Sequence, residues 1–286
     1  MRRAPITWLA VVIIGSAAAL KFARPVAADS EKSASPTVQF SPNQSSPYDS
    51  EAERQLLELA NQARAQAGLG PLQADEGLTQ AARQHAAAMA TQQQLSHRLP
   101  GEPSLIDRLA ANSVLHLDHA GENVAFSGNV NQAQDSLMHS PPHRENLLNP
   151  GYNVAGFGVV RRGYVLYVTQ DFGHRLPTYS VQQAGNTVAQ DIAEVRREAH
   201  LKPLHRVDND AVQSAACSMA RADSLHAPSP RGLYLLRYTT MQPETLPAGA
   251  AQAIGDRGLR AFSVGTCYAR SSAYPNGAYW VVLTLD

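Results

Sequence analysis

The chain has 286 residues, of which 44% are hydrophobic, and this is enough for one large domain or two smaller ones. Lys and Arg together number 24, as do Asp and Glu, so the formal net charge is zero. The chain has no basic excess, which would indicate a nucleic-acid partner. It also has no acidic tail, which would indicate a solvating segment.

The first 28 residues have the pattern of a secretory signal peptide. Arg2 and Arg3 precede an apolar run of 13 residues from Trp8 to Leu20, and "PVAADS" offers a small-residue cleavage site after Ala28. The run is too short for an ordinary membrane span of ~20 residues. An uncleaved anchor is the alternative, and only then would the protein contact a membrane, through this segment. Either reading predicts a secreted or periplasmic protein.

The next segments predict a linker followed by two helices. Residues 29–49 are rich in Ser, Pro, Gln and Asn, which is typical of a flexible linker. Ser50 and Glu53 have the spacing of a capping box at the start of the first helix. Asp75 is the predicted cap of the second helix, where apolar residues recur every three or four positions. His85 lies on that apolar stripe, which favours a core histidine over a ligand.

The two halves of the chain resemble each other. Residues at the end of the first helix and just after it recur later at one offset: Arg64, Leu69, Pro71 and Leu72 match Arg196, Leu201, Pro203 and Leu204. Both halves also end in alternating β-branched and aromatic residues around a turn, Arg162-Gly163 or Asn276-Gly277, which predicts hairpins. We therefore predict tandem copies of one domain, with a boundary near residues 173–185.

Two motifs, "GENVA" and "SPPHREN", occur in the first half alone. Motifs that only supported the fold would be needed in both copies. Their absence from the second half favours a site in the first copy and a scaffold or partner role for the second.

These stretches and "LSHR" supply candidate site residues. His97, Glu122 and His143 offer two imidazoles and one carboxylate, a plausible set for zinc or a similar divalent ion with an open position for water. Such an ion could make a hydrolytic nucleophile, but the compact HExxH signature of metal peptidases is missing. A hydrogen-bonded network that pins loops is the other reading. Ser140 could act as a nucleophile with His143 as base, although capping of the following helix is favoured for Ser140.

Together with "YVTQDFG", these motifs resemble the CAP superfamily, also called SCP-like, in its bacterial branch. The superfamily comprises cysteine-rich secretory proteins, antigen 5 and pathogenesis-related 1 proteins. The resemblance covers roughly residues 50–175 and implies an α+β fold, an α-β-α sandwich with a central antiparallel sheet. We expect a CAP domain at residues 50–176 and a second, degenerate CAP-like domain at residues 177–286.

The family's cleft carries two histidines and two acidic residues. By motif, His97 and Glu122 match the first histidine and the first acid, and His143 matches the second histidine. Ser140 stands in place of the second acid, and Leu137 in place of a tryptophan that usually precedes it. The resemblance thus implies a ligand cleft formed by all four polar residues, with His97, Glu122 and His143 as metal ligands and one charge fewer than usual.

The resemblance implies no single activity. We expect a secreted binding protein whose cleft holds a divalent metal such as zinc, or a small amphipathic ligand, with an unknown small molecule or extracellular protein as partner. The alternatives are a metal-assisted hydrolase of extracellular peptide or cell-wall material, and an envelope-associated structural protein. Binding is preferred to enzymatic activity, and no catalytic residue is assigned.

The remaining histidines and the cysteines complete the expectations. Cys217 and Cys267 are the only cysteines, and an oxidising compartment favours a disulfide between them over two buried thiols. His116 and His119 could form a rim ligand or a pH-sensitive patch. Solvated loop positions are nevertheless favoured for both, and for His174.

Overall fold

The computed structural model describes residues 47–226, 230 and 232–286. The predicted signal peptide at residues 1–28, and all but the end of the predicted linker at residues 29–49, lie outside the described residues. Among the described residues, no helix is both long and apolar enough to cross a membrane.

The described part of the first half forms a sheet with helices on both faces. The elements are α1 (Ser50–Gln66), β1 (Gln73–Ala74), α2 (Glu76–Gln92), α3 (Leu105–Asn112), β2 (Leu117–Ser127), α4 (Val130–His139), α5 (Pro141–Leu147), β3 (Val154–Arg162) and β4 (Val165–Arg175). The strand order is β1-β3-β4-β2, in which the short β1 is parallel to β3 and the other pairs are antiparallel.

Alternation along β2 shows how the helices cover this sheet. Ala125 packs in a cluster with Leu56 of α1, whereas the preceding Val124 packs in a cluster with Met89 of α2. Successive strand residues point to opposite faces, so α1 and α2 cover opposite sides. The arrangement is an α-β-α sandwich, as the resemblance implies.

The second half has the same strand order. Its elements are α6 (Val181–Glu198), β5 (His205–Arg206), α7 (Asp210–Ala222), β6 (Tyr234–Thr240), α8 (Ala248–Ile254), β7 (Ala261–Ala269) and β8 (Ala278–Leu285). The order is β5-β7-β8-β6, again with one short parallel strand and two antiparallel pairs. Both predicted hairpins are present, and Gly163 and Gly277 turn them at positive φ angles of 61° and 91°.

Two arginines matched in sequence occupy matching positions in the two halves. Arg64 in α1 and Arg196 in α6 are each 2% exposed. The Nε of each donates a 2.8 Å hydrogen bond to the carbonyl oxygen six residues further along the chain. Their other nitrogens donate to carbonyls at the ends of α5 and α8 and in the loops that follow: Leu147, Asn149 and Tyr152 for Arg64, Ile254 and Asp256 for Arg196. Each arginine thus ties its helix to the loop preceding a central strand.

The start of α1 differs from the prediction. Asp49, not Ser50, is the N-cap, and its side chain accepts a 3.1 Å hydrogen bond from the Ala52 amide. With Asp49 as the N-cap, Glu53 is not the third helical residue and does not close a capping box; it is buried and instead binds Arg83 at 2.6 Å. The capping of α2 by Asp75 is confirmed.

Several contacts hold the second half together or join it to the first. The disulfide between Cys217 of α7 and Cys267 of β7 is confirmed.

Arg270 donates hydrogen bonds of 2.8 Å to backbone carbonyls at the end of α3 and just after it. His116 is only 1% exposed, with its ring centroid 5.2 Å from Tyr268 and 5.7 Å from Tyr279. The prediction of a solvated loop histidine is therefore wrong for His116, because the second half covers it.

Candidate functional site

The structure brings the four predicted cleft residues together. His97, in the loop after α2, has its Nδ1 3.0 Å from an oxygen of Glu122 on β2. The rings of His97 and His143 are stacked, with centroids 6.2 Å apart and planes inclined by 28°. The Nδ1 of His143 lies 2.8 Å from the hydroxyl of Ser140. These contacts form one chain from β2 to the junction between α4 and α5.

Both oxygens of the Glu122 carboxylate are engaged. Oε1 faces His97, and Oε2 accepts a hydrogen bond from Arg108 of α3 in an ion pair. The side chain of Glu122 is 3% exposed and that of Arg108 is 6% exposed. A buried carboxylate needs such a partner, because an isolated charge in the interior is strongly destabilising.

A second buried layer lies beneath the Glu122–Arg108 pair. His85 is fully buried, with Nδ1 2.6 Å from a Glu102 oxygen and Nε2 2.8 Å from the Ser96 carbonyl. The other Glu102 oxygen lies 3.5 Å from Arg108. The prediction of a core histidine is confirmed for His85, which helps to hold the loop that carries His97.

Asp171 is a site residue that sequence reasoning missed, although it lies in the quoted "YVTQDFG" motif. It is directly opposite Glu122 in the β2–β4 ladder and is completely buried. Burial raises its pKa well above the usual range, and the negative charge of Glu122 raises it further, while Arg108 opposes the shift. Burial and the neighbouring charge on Glu122 thus both favour the protonated form of Asp171.

The two imidazoles have pKa values displaced in opposite directions. The hydrogen bond to Glu122 raises the pKa of His97, and burial and the charge on Arg108 only partly offset this. Burial lowers the pKa of His143, and the nearby His97 lowers it further. As pH falls, His97 therefore takes up a proton before His143 does.

An amide network fixes the α5 side of the site. The Asn123 side chain donates hydrogen bonds of 2.9 Å to the His143 carbonyl and 3.1 Å to the Gln170 side chain. The Asn146 side chain donates hydrogen bonds of 3.1 Å to the Glu122 carbonyl and 3.2 Å to the Asn123 side chain. The backbone that carries Glu122 and the helix that carries His143 are therefore held together directly.

Ser140 does not use its side chain to cap α5, contrary to the favoured prediction. Pro141 and Pro142 occupy the first two helical positions, and proline has no N–H for a capping hydroxyl to accept from. The hydroxyl of Ser140 instead pairs with the ring of His143.

The second half has different residues where the first has its carboxyl pair. In the first sheet, Gly156 of β3 faces Asp171, which faces Glu122. Gly156 and Gly265 each lie where a Cβ would collide with a helix backbone, that of α2 or α7. In the second sheet Gly265 faces Val282, and Val282 faces Arg237. The corresponding positions thus carry a valine and an arginine in place of two acids.

The candidate metal ligands differ in how closely their ligand atoms approach one another. His97, Glu122 and His143 do not have three ligand atoms within 4.8 Å of one another; among the described side chains, only Asp118, His119 and His174 do. In the predicted trio, Glu122 is held by Arg108. This arrangement suits a residue that orients His97 more than it suits a metal ligand. The two imidazoles remain suitable as metal ligands. Each uses Nδ1 in a hydrogen bond, which is how the second ring nitrogen of a metal-bound histidine is commonly used.

Comparison with known proteins identifies the first half. The family model described as the cysteine-rich secretory protein family, CAP, matches residues 57–172. This part of the chain belongs to the CAP family. The matched CAP segment contains all four predicted cleft residues together with Arg108 and Asp171.

Relatives of this CAP segment occur in Bacillus subtilis (strain 168). YkwD is 33% identical over 121 residues, 42% of this chain and 46% of YkwD, and the membrane protein YlbC is 34% identical over 122 residues, 42% of this chain and 34% of YlbC. The matches therefore span less than half of either relative. An extracellular SCP-domain protein from Bacillus anthracis is similar at 27% identity and a TM-score of 0.41, over 44% of this chain and 41% of that one.

Proposed function

We propose that this chain is an exported binding protein whose CAP cleft holds a divalent metal ion between His97 and His143. The observation that carries the proposal is that both rings use Nδ1 in a hydrogen bond. Nδ1 of His97 pairs with Glu122, and Nδ1 of His143 pairs with Ser140. A histidine that ligates a metal commonly uses its second ring nitrogen in this way, which fixes the orientation of the ring. The Nε2 atoms of His97 and His143 would then be the ligands.

Zinc is the expected ion, because neutral imidazoles suit zinc and other first-row transition ions. Two protein ligands leave further coordination positions to water or to a bound molecule. The cleft would therefore hold the ion less firmly than a closed structural site does. When bound, the ion would supply a Lewis acid, while Glu122 and Arg108 hold His97 in place.

Zinc titration of the full chain by calorimetry tests the proposal. His97→Ala and His143→Ala should each weaken binding at this cleft by at least about 10-fold, the usual scale for disturbing a metal site. His139→Ala is the matched control, since His139 lies on the neighbouring helix with a side chain 79% exposed. An unchanged number of zinc ions bound per chain, together with unchanged affinity, in both cleft variants would exclude this site.

A small amphipathic ligand is a second candidate, supported by a groove between α1 and α4. The groove has a volume of about 560 Å³ and is lined by apolar and amide side chains, including Leu59, Ala63, Met138, Gln62 and Gln66, with the carboxylate of Asp135 as its charged group. None of the predicted cleft residues lines it. A fluorescent long-chain carboxylate should bind there, and Ala63→Trp, which fills the groove, should abolish that binding without changing zinc affinity.

Export and the role of the second half belong to the same proposal. The disulfide between Cys217 and Cys267 suits an oxidising compartment. We infer that the second half is a degenerate CAP-like copy, supported by its matching strand order and by the matching contacts of Arg64 and Arg196. It would act as a scaffold for the first copy.

Hydrolysis remains the main enzymatic alternative, and an envelope-associated structural role remains a prediction. The contact between Ser140 and His143 would be the starting point for hydrolytic chemistry. Incubation with peptide and peptidoglycan substrates, with and without zinc, distinguishes this from simple binding. Turnover by the wild type that is lost in His143→Ala would favour the hydrolase.

A further inference from the structure

A β-bulge in β2 places three potential metal ligands on one side of the sheet edge. Leu117 pairs with Arg175, and His119 pairs with the adjacent His174, so Asp118 is an extra residue without a partner on β4. In a regular strand, neighbouring residues point to opposite faces. A bulge changes where side chains point, and here it lets Asp118 and His119 both reach His174.

The three side chains converge on a single carboxylate oxygen. Oδ1 of Asp118 lies 2.7 Å from Nδ1 of His119 and 2.8 Å from Nδ1 of His174. One ligand atom from each residue lies within 4.8 Å of the others. The two rings are 5.1 Å apart between centroids and inclined by 40°. Both ring nitrogens are thus already directed at the same oxygen.

The surroundings hold one ring in place and leave the cluster accessible. The ring of His119 packs against Tyr152 at 5.4 Å and lies over Gly151, where a Cβ would come within 2.8 Å of its Nε2. The side chains of Asp118, His119 and His174 are 21%, 44% and 30% exposed. An ion could enter from solvent and keep water at its remaining position.

We propose that Asp118, His119 and His174 form a second divalent-cation site, of the class that takes zinc and related first-row transition ions. Two imidazoles and one carboxylate with an open fourth position match the donor set of such sites. In the bound state the Nδ1 lone pair of each ring and Asp118 Oδ1 would face the ion, with the ring proton on Nε2. The site uses none of His97, Glu122 and His143, so it does not depend on the cleft proposal.

The test uses the full chain carrying His97→Ala and His143→Ala, so that binding at the cleft cannot contribute. Calorimetry with zinc should show one ion per chain, and cobalt(II) should give a visible absorption band of protein-bound metal. Adding His119→Ala or His174→Gln should weaken zinc binding by at least about 10-fold and reduce the cobalt band. The two substitutions are made separately, and circular dichroism checks that each variant is folded.

The matched control is His139→Ala in the same background. His139 also contacts a carboxylate, that of Asp135 at 3.3 Å, but it lacks a second histidine. Its removal should leave zinc affinity unchanged. The proposal is overturned if the background protein binds no zinc, if both His119→Ala and His174→Gln bind as tightly as the background, or if His139→Ala weakens binding equally.

Discussion

His97 is held by Glu122 through a 3.0 Å contact between Nδ1 of the ring and Oε1 of the carboxylate. Because Oε2 of Glu122 is paired with Arg108, the carboxylate has a fixed orientation and can in turn fix the ring. The ring of His97 stacks on that of His143 with centroids 6.2 Å apart, and its Nε2 takes no part in the contact with Glu122. The site is therefore supported from below by a buried charge network.

Replacing Glu122 should change the protonation of His97. In Glu122→Gln the charged acceptor is lost, so the raised pKa of His97 should fall and zinc affinity at the cleft should drop by about 10-fold or more. Titration of the imidazole signals by NMR measures the first effect and calorimetry the second. The exposed His139 serves as an internal reference. An unchanged His97 titration would show that Glu122 does not control this ring.

Removing Arg108 should strongly destabilise the fold. Arg108→Met leaves Glu122 buried without its positive partner, which costs about 3–5 kcal/mol of unfolding free energy. Urea unfolding measures the loss. Arg54→Met is the control, because Arg54 forms exposed ion pairs on α1 and its loss should have little effect. Similar small losses in both variants would contradict the buried charge network.

Asp171 should make stability depend on pH. Its pKa is raised in the folded state, so below the unfolded value near 3.8 both states hold the proton. As pH rises above that value, the unfolded state releases the proton while the folded state retains it, and stability falls. Asp171→Asn lacks this loss and should therefore be more stable than wild type at pH 7.5, with a smaller difference at pH 4.

Urea midpoints at the two pH values measure the effect of Asp171→Asn. The exposed Asp135→Asn provides the control and should show little difference from wild type at either pH. A destabilised Asp171→Asn protein at pH 7.5 would mean that Asp171 is ionised in the fold.

His116 should make the protein sensitive to acid. Burial lowers its pKa, so the folded state resists protonation while the unfolded state accepts it as pH falls below about 6.5. Stability should therefore be retained above that pH and lost towards pH 5. His116→Phe keeps a ring against Tyr268 and Tyr279 and should reduce the dependence of Tm on pH between 7.5 and 5. An equal slope in wild type and variant would contradict this, with His139→Gln as control.

Loss of the disulfide should affect the second half more than the cleft. The bond links residues 50 apart, and a Cys217→Ser/Cys267→Ser variant should lose about 2–4 kcal/mol of stability. Zinc affinity at the cleft should be unchanged while the protein remains folded. A large loss of zinc binding in the folded variant would show that the scaffold shapes the site directly.

Sequence alone predicted features that depend on local pattern. The cap at Asp75, the hairpins around Gly163 and Gly277, and the buried position of His85 follow from spacing and residue type. The pairing of Cys217 with Cys267 followed from the absence of any other cysteine. The meeting of His97, Glu122 and His143 could be proposed from family motifs, although no local pattern brings these residues together.

Features set by strand register and by packing between halves were missed. Asp171 gains its role because it lies opposite Glu122, and a single strand does not reveal its partner. Asp118 and His119 reach the same side because of a bulge, which alternation in the sequence does not show. In the sequence His116 has the pattern of a loop histidine, but in the structure the second half covers it. These positions depend on tertiary structure rather than on nearby residues.

The position of a bound ion tests the central claim most directly. Crystals of the full chain soaked with zinc should give an anomalous peak about 2.0–2.1 Å from the Nε2 atoms of both His97 and His143. Glu122 should remain hydrogen bonded to His97 on the opposite side of the ring. A peak confined to Asp118, His119 and His174, or no peak between the two stacked rings, would contradict metal binding in the CAP cleft.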